Sequence, residues 1–345
     1  MKIVLCGLSS SGKSTVFKAL VGGKTQSKTS GKVQLNIATL DLKDERLKRL
    51  AELVGSQKVT YPQVTLVDLG YLQEASSGAI DTGSLREFDA LCVVIGLFAS
   101  DDPSKDLKSI TSELILADLQ SIQNRIEKIN KERKSRPKKE QDPELLLLQR
   151  LSEALEKEKR IKDLELKTEE LKTLAGFELL TLKPMIVVAN ISEEQLSKKG
   201  WIELEKEAGA QGLKFLPICA EVEAEIEDLS EEERPQFLKE MGLLTLSRDK
   251  FIQTCFQALD EILFFTVVGK EARAWAVPSG SSALEAAGSV HSDMQRGFIR
   301  AEVINYKDFV ECGSFAKAKE KGLLRLESKE YPVQDGDIIN FKFSV

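Results

Sequence analysis

Short apolar runs alternate with helix-spaced amphipathic stretches along most of the chain. Ile3–Leu5, Val64–Val67, Leu91–Ile95, Met185–Val188 and Leu213–Leu216 read as strands. Their apolar residues are continuous rather than alternating, which suits strands buried on both faces. Helical stretches such as Asp44–Val54 lie between some of them. The pattern predicts an α/β fold with a doubly wound, mostly parallel sheet. One interval departs from it. From about Asp101 to Thr173 there is no strand signal, and Ile115, Leu119, Ile122, Ile126 and Ile129 recur at steps of four and three. A second helix carries Leu148, Leu151 and Leu155 in similar spacing, after a charged break from Arg133 to Asp142 that contains Pro137. This predicts an antiparallel helical coiled-coil arm inserted into the α/β domain. From about Phe264 the character changes again. Strand-like pieces at Phe265–Val268, Arg273–Val277, Phe298–Val303 and Ile338–Phe343 surround a helical stretch, Phe309–Lys321, and predict a small separate α+β domain.

The segment Gly7-Leu8-Ser9-Ser10-Ser11-Gly12-Lys13-Ser14-Thr15 sits between the first strand and a helix beginning near Val16. It is a phosphate-binding loop, G-x-x-x-x-G-K-S, in strand–loop–helix context. Glycines let the backbone bend so that N–H groups from Ser9 to Thr15 converge on phosphate oxygens, and the helix N-terminus adds partial positive charge. Lys13 suits the β- and γ-phosphates, and the Ser14 hydroxyl suits Mg²⁺. The strand Val64–Val67 ends in Asp68, where such proteins place the acid that organises Mg²⁺. After the strand Met185–Val188 comes Asn190-Ile191-Ser192-Glu193, in the place where GTPases read guanine with N-K-x-D. Lysine is absent and Glu193 stands at the reading position, so adenine becomes the expected base. The loop Cys219-Ala220-Glu221 follows the next strand and completes the expected base site. ATP with Mg²⁺ is therefore the expected ligand, with GTP second.

Composition narrows the setting. The chain has 345 residues, 42% hydrophobic and 30% charged, which predicts more than one ordinary core. A formal charge of -6 argues against wholesale nucleic-acid binding but leaves room for a local basic patch. No apolar run is long enough for a bilayer, and the strand signal begins at Ile3, so neither membrane association nor a leader peptide is expected. Cys6, Cys92, Cys219, Cys255 and Cys312 are scattered, and the single histidine, His291, cannot build a histidine metal site. Buried thiols in a reducing cytoplasm are the expectation.

Taken together in order, these motifs resemble the Obg-like ATPases of the YchF type, also called ribosome-binding ATPases. Thr111–Leu119, Leu179–Pro184, Ala189–Glu193 and Cys219–Ile226 carry the resemblance through the first domain and arm. In the tail, Ala272–Trp275, His291–Asp293, Gly297–Val303 and Val333–Asp337 follow that family's TGS domain, a ubiquitin-like β-grasp module. The resemblance implies residues 1–100 plus 173–263 as the nucleotide domain, 101–172 as the arm and 264–345 as the TGS-like domain. It also implies a cytoplasmic, Mg²⁺-dependent nucleotidase that prefers ATP and associates with ribosomes or structured RNA; a monomer is expected.

Departures cluster on the hydrolytic side. Ser9-Ser10-Ser11 stands where the family has Pro-Asn-Val. The segment Lys24–Asn36 is shortened, with the family's switch threonine falling near Lys32. Tyr71 follows Gly70 where the family's D-I-A-G has glycine, and Leu97–Pro103 lacks the family's histidine. Two readings stay open: a weakly hydrolysing ATPase, and a hydrolysis-deficient pseudo-NTPase that acts as a binding module. His291 is expected to hold a turn. Arg133 to Lys139 at the arm tip, with Arg273, Arg296 and Arg300, are the candidate phosphate contacts to RNA.

Overall fold

The computed structural model describes residues 1–22, 26–30, 33–69, 81–134, 142–230, 232–241 and 245–344. Its strands are β1 (Lys2–Cys6), β2 (Gln26–Ser30), β3 (Val33–Asp41), β4 (Lys58–Thr60), β5 (Gln63–Asp68), β6 (Ala90–Gly96), β7 (Met185–Asn190), β8 (Lys214–Ile218), β9 (Glu261–Val268), β10 (Glu271–Pro278), β11 (Phe298–Asn305), β12 (Arg325–Glu327) and β13 (Asp337–Phe343). The helices that carry the argument are α1 (Lys13–Val21), α2 (Glu45–Val54), α3 (Pro103–Lys134), α4 (Pro143–Glu156) and α5 (Glu193–Lys198), with α6 (Ala220–Asp228) and α7 (Ser247–Ala258) beyond them.

The chain divides into two compact units, Met1–Thr39 with Thr65–Thr254, and Leu40–Val64 with Cys255–Val345. The first unit is built on a sheet of order β2-β3-β5-β1-β6-β7-β8. β1 pairs parallel with β5 and β6, and β6–β7–β8 continue parallel, so the loops after β1, β5, β6, β7 and β8 leave the same edge. That edge is where open α/β sheets hold ligands. The β2–β3 hairpin is antiparallel. The five strands expected from the sequence are all present, whereas the hairpin in the shortened switch segment is an addition. The strand cores Val4, Val93, Val187 and Ala189 are fully buried and share a cluster with Leu107, Ile110 and Leu114 of α3.

The helix α3 therefore has two jobs. Its first turns cover the sheet. From Ile115 onward, Ile115, Ile122 and Ile129 pack on Leu145, Leu148, Leu151 and Leu155 of α4, which folds back along it. Arg125 and Glu144 pair near the turn, with Nε to Oε1 at 2.7 Å. The stretch 101–172 expected as arm thus includes the sheet-covering first turns of α3, with Leu107, Ile110 and Leu114. Arg133 and Lys134 have no described side chains, and Arg136, Lys138 and Lys139 lie outside the described residues.

The second unit holds a sheet of order β12-β11-β13-β9-β10-β4. The segment 40–64, expected in the nucleotide domain, belongs here. Leu47, Leu50 and Ala51 of α2 are buried against Phe265, Ala272, Ile304 and Phe309, and β4 adds parallel to β10. Asp44 caps α2, accepting from Arg46 N–H at 2.7 Å, and Arg46 also reaches Asp335 in the Gln334–Asp337 turn. Trp275 and Phe298 pack against the opposite face of this sheet, so they serve its core. His291 accepts from Asp293 N–H at 3.2 Å through Nδ1, the expected turn role. All five cysteines are buried, and none forms a disulfide.

Candidate functional site

β1 delivers Cys6 to the sheet edge, and the chain turns through Gly7–Gly12 into α1. Two glycines in this turn are required by what surrounds them. Gly7 has φ +150°, and a Cβ there would lie 2.4 Å from the Val94 carbonyl oxygen of β6. Gly12 has φ +80°, and a Cβ there would lie 2.2 Å from Asn190 Nδ2. Ser10 takes φ +62° between them. The loop is thus pressed against two neighbouring strands, with Ser9 and Ser10 outermost and exposed.

Inside the loop, the Lys13 ammonium donates to the carbonyls of Gly7 at 3.1 Å and Leu8 at 2.8 Å. It spans the loop, and both of these acceptors are neutral carbonyls. Burial lowers its pKa, with Cys6 and Asp68 opposing. Burial pushes the Cys6 thiol up to about 12, so it stays neutral beneath the loop. At the first turn of α1, Ser14 Oγ donates to Asp68 Oδ2 at 2.9 Å, and Asn36 Nδ2 reaches the same oxygen at 3.3 Å. Asp68 is 1% exposed at the end of β5. Lys32 lies outside the described residues, as do Gly70 and Tyr71.

Asn190 ties two loops together. Its Nδ2 donates to Ser11 O at 3.2 Å, while its Oδ1 accepts from Ala220 N–H at 3.4 Å. One side chain at the end of β7 thereby fixes the phosphate loop relative to the loop after β8. Ile191 is buried in the sheet core, so its side chain faces away from the loop edge. Glu193 is exposed on the first turn of α5, where Ser192 accepts from Gln195 N–H at 3.3 Å as cap. Cys219 is buried, and burial raises its thiol pKa, followed by the carboxylates of Glu223, Glu193 and Glu221.

The sequence reading missed two residues of this edge. Asn36 comes from the β3 strand that the apolar pattern did not reveal. Phe98 lies two residues past the end of β6 and is 53% exposed, with its ring edge 3.5 Å from the position a Gly12 Cβ would take. An aromatic residue just past a buried apolar strand was the available signal for it.

Comparison with known proteins now bears on this geometry. The chain is 35% identical to the ribosome-binding ATPase YchF of Bacillus subtilis over 361 residues, covering 99% of this chain and 98% of that one. The chain belongs to the YchF family. The namesake from Escherichia coli O157:H7 is 33% identical over 361 residues and is covered to 99%. A profile for the C-terminal region of YchF GTPases, described as a protein of unknown function (DUF933), matches residues 262–344. Among solved structures, the Schizosaccharomyces pombe YchF GTPase superposes with a TM-score of 0.82 at 23% identity, over 99% of this chain and 97% of that one. A GTP-binding protein from Pyrococcus horikoshii gives a TM-score of 0.62 at 18% identity, over the full length of both. These two likenesses establish the YchF fold for the whole chain, with a P-loop unit followed by the C-terminal sheet.

Proposed function

We propose that this YchF-family chain is a cytoplasmic, Mg²⁺-dependent ATP-binding protein that hydrolyses ATP slowly and works on ribosomes. The observation that carries the reading is the Ser14–Asp68 contact at 2.9 Å, made beside a lysine held by the Gly7 and Leu8 carbonyls. The donor set fits the cation: a hydroxyl and a buried carboxylate are hard oxygen ligands for Mg²⁺. Ser14 and Asp68 would hold Mg²⁺, which would offset phosphate charge there. The chain's own residues do the rest. Lys13 exchanges carbonyl oxygens for phosphate oxygens, and the Ser9–Thr15 amides receive the remaining ones. Asn190 holds the loop in register with Cys219-Ala220-Glu221. Phe98 supplies an apolar ring face at the site edge.

Preference for ATP over GTP rests on Ile191 and Glu193 at the base-reading segment. A buried isoleucine presents no ammonium, and Glu193 carries its carboxylate one methylene further than aspartate. Hydrolysis would proceed by attack of a water oxygen on the γ-phosphorus. The bond to the bridging oxygen breaks, and ADP, phosphate and a proton leave. Slow turnover follows from Tyr71 in place of glycine and from the missing histidine in Leu97–Pro103. Those same departures favour the second reading, a pseudo-NTPase binding module. Slow but measurable ATP turnover that Lys13→Ala abolishes separates the first from the second, and brisk turnover by the protein alone contradicts the slow hydrolysis proposed.

Relatives at 33–36% identity along the full chain carry the name ribosome-binding ATPase, which supports the ribosome as partner. We also retain the division into nucleotide unit, arm and TGS-like tail as part of this proposal. Sedimentation with ribosomes in the presence of a non-hydrolysable ATP analogue tests it. The protein is expected in the ribosomal pellet, with Lys13→Ala removing the effect of the analogue. Absence from the pellet in every nucleotide state refutes the ribosomal role.

A further inference from the structure

Asn36 and Asp68 meet across neighbouring strands. β3 lies beside β5 in the sheet. Leu35 and Ile37 pack against the sheet core that includes Val67, so strand alternation turns Asn36 and Asp68 to the opposite face. Ala38 and Leu40 follow Asn36 on that face, Val64 and Leu66 precede Asp68 on it, and all four are buried. An amide and a carboxylate thus adjoin two apolar rows. Ser14 reaches the carboxylate from the first turn of α1.

Both donors use the same oxygen. Ser14 Oγ donates to Asp68 Oδ2 at 2.9 Å and Asn36 Nδ2 donates to it at 3.3 Å. Their parts differ. Ser14 is the hydroxyl assigned to Mg²⁺, so its own place depends on the cation. Asn36 stands on a strand, and its hold on the carboxylate does not. An amide also orients a carboxylate without neutralising it. An ammonium or guanidinium at this place would compete with the cation for the same negative charge. Carboxylates that hold metals are themselves hydrogen-bonded, and loss of such a partner costs about 10–100-fold in metal affinity.

We propose that Asn36 is a positioning residue for Mg²⁺: by holding Asp68 Oδ2 it sets how strongly the cation tightens nucleotide binding. The inference rests on the Mg²⁺–ATP reading above and deepens it. The segment Lys24–Asn36 ends on this residue, so the shortened segment still reaches the cation corner. β3 therefore shapes that corner together with the phosphate loop and β5. An amide that served only the packing of β3 would affect nucleotide binding equally with and without the cation. An amide that orients Asp68 affects the cation-dependent part alone.

The test is titration calorimetry of the full-length protein with a non-hydrolysable ATP analogue, once in excess EDTA and once in saturating Mg²⁺. The ratio of the two dissociation constants measures the linkage. Asn36→Leu keeps the size of the side chain and removes the donor. It is expected to cut the ratio by about tenfold or more, the lower end for loss of such a partner, with the affinity in EDTA unchanged. Asn36→Gln keeps an amide and should recover most of the ratio. Thermal unfolding shows whether each variant folds, and Asn36→Ala replaces the leucine variant if that one does not. An unchanged ratio, an equal loss in EDTA and in Mg²⁺, or a glutamine variant as weak as the leucine one would each overturn the proposal. A wild-type protein that binds no analogue, or binds it indifferently to Mg²⁺, would instead remove the Mg²⁺–ATP reading and the proposal with it.

Discussion

At the scale of single residues, the phosphate loop is set by contacts that leave no room for a side chain. Gly12 combines φ +80° with a hypothetical Cβ 2.2 Å from Asn190 Nδ2. Gly12→Ala must push the amide away and break its bond to Ser11 O. The left-handed backbone adds strain of about 1–3 kcal/mol for a non-glycine residue. Thermal unfolding should report that loss, and calorimetry should report at least tenfold weaker ATP-analogue binding. A variant of unchanged stability and affinity would contradict the assigned loop geometry. The sequence made this site readable because Gly12-Lys13-Ser14 and Asp68 are chemistry carried by type and spacing. Asn36 and Phe98 were not readable, since their roles depend on which strand lies beside which. Ile191 was read as part of the base site from its place in the motif, whereas the fold turns its side chain into the core.

Between elements, the most consequential contact is a buried carboxylate. Asp118 on α3 is fully buried. It accepts from Leu180 N at 2.9 Å, Thr181 N at 2.7 Å and Thr181 Oγ1 at 2.8 Å. Arg86 approaches it at 3.3 Å and also holds Ser121 Oγ and the Ala117 and Glu178 carbonyls. The arm is thereby bolted to the segment that leads into β7. Asp118→Ala strands two amide donors and an arginine, a loss of about 3–5 kcal/mol. Urea unfolding should show it as a lower midpoint, with Asp118→Asn falling between the two. A similar contact joins α6 and α7, where Glu223 accepts from Ser247 N at 2.7 Å and Ser247 Oγ at 2.6 Å.

The parallel strands and the arm helices were legible because their apolar periods are long and unbroken. The fate of α2 was not. Leu47, Leu50 and Ala51 define an apolar face, but periodicity names a face and not the sheet it covers. The segment came to the C-terminal sheet because β4 supplies an edge strand to β10.

For the whole molecule, a net charge of -6 means that any ribosomal contact depends on local clusters. Of the tail arginines, Arg273 lies 3.9 Å over the Trp275 ring and Arg296 is paired with Asp293. Arg300 remains exposed on β11. The arm run from Arg133 to Lys139 is the denser cluster. Ribosome binding should weaken with salt, and replacing Arg133, Lys134, Arg136, Lys138 and Lys139 by Ser should flatten the log–log slope by about one unit per lost phosphate contact. An unchanged slope would remove the arm tip from the interface.

All of this stands on one claim, that the edge formed by Lys13, Ser14, Asp68 and Asn190 is an ATP site. Titration calorimetry of the purified protein with non-hydrolysable ATP and GTP analogues in Mg²⁺ reads that claim most directly. The account predicts one-to-one binding, tighter for the ATP analogue, dependent on Mg²⁺ and lost in Lys13→Ala. Tighter binding of the GTP analogue would contradict the role given to Ile191 and Glu193, and no binding of either would contradict the site itself.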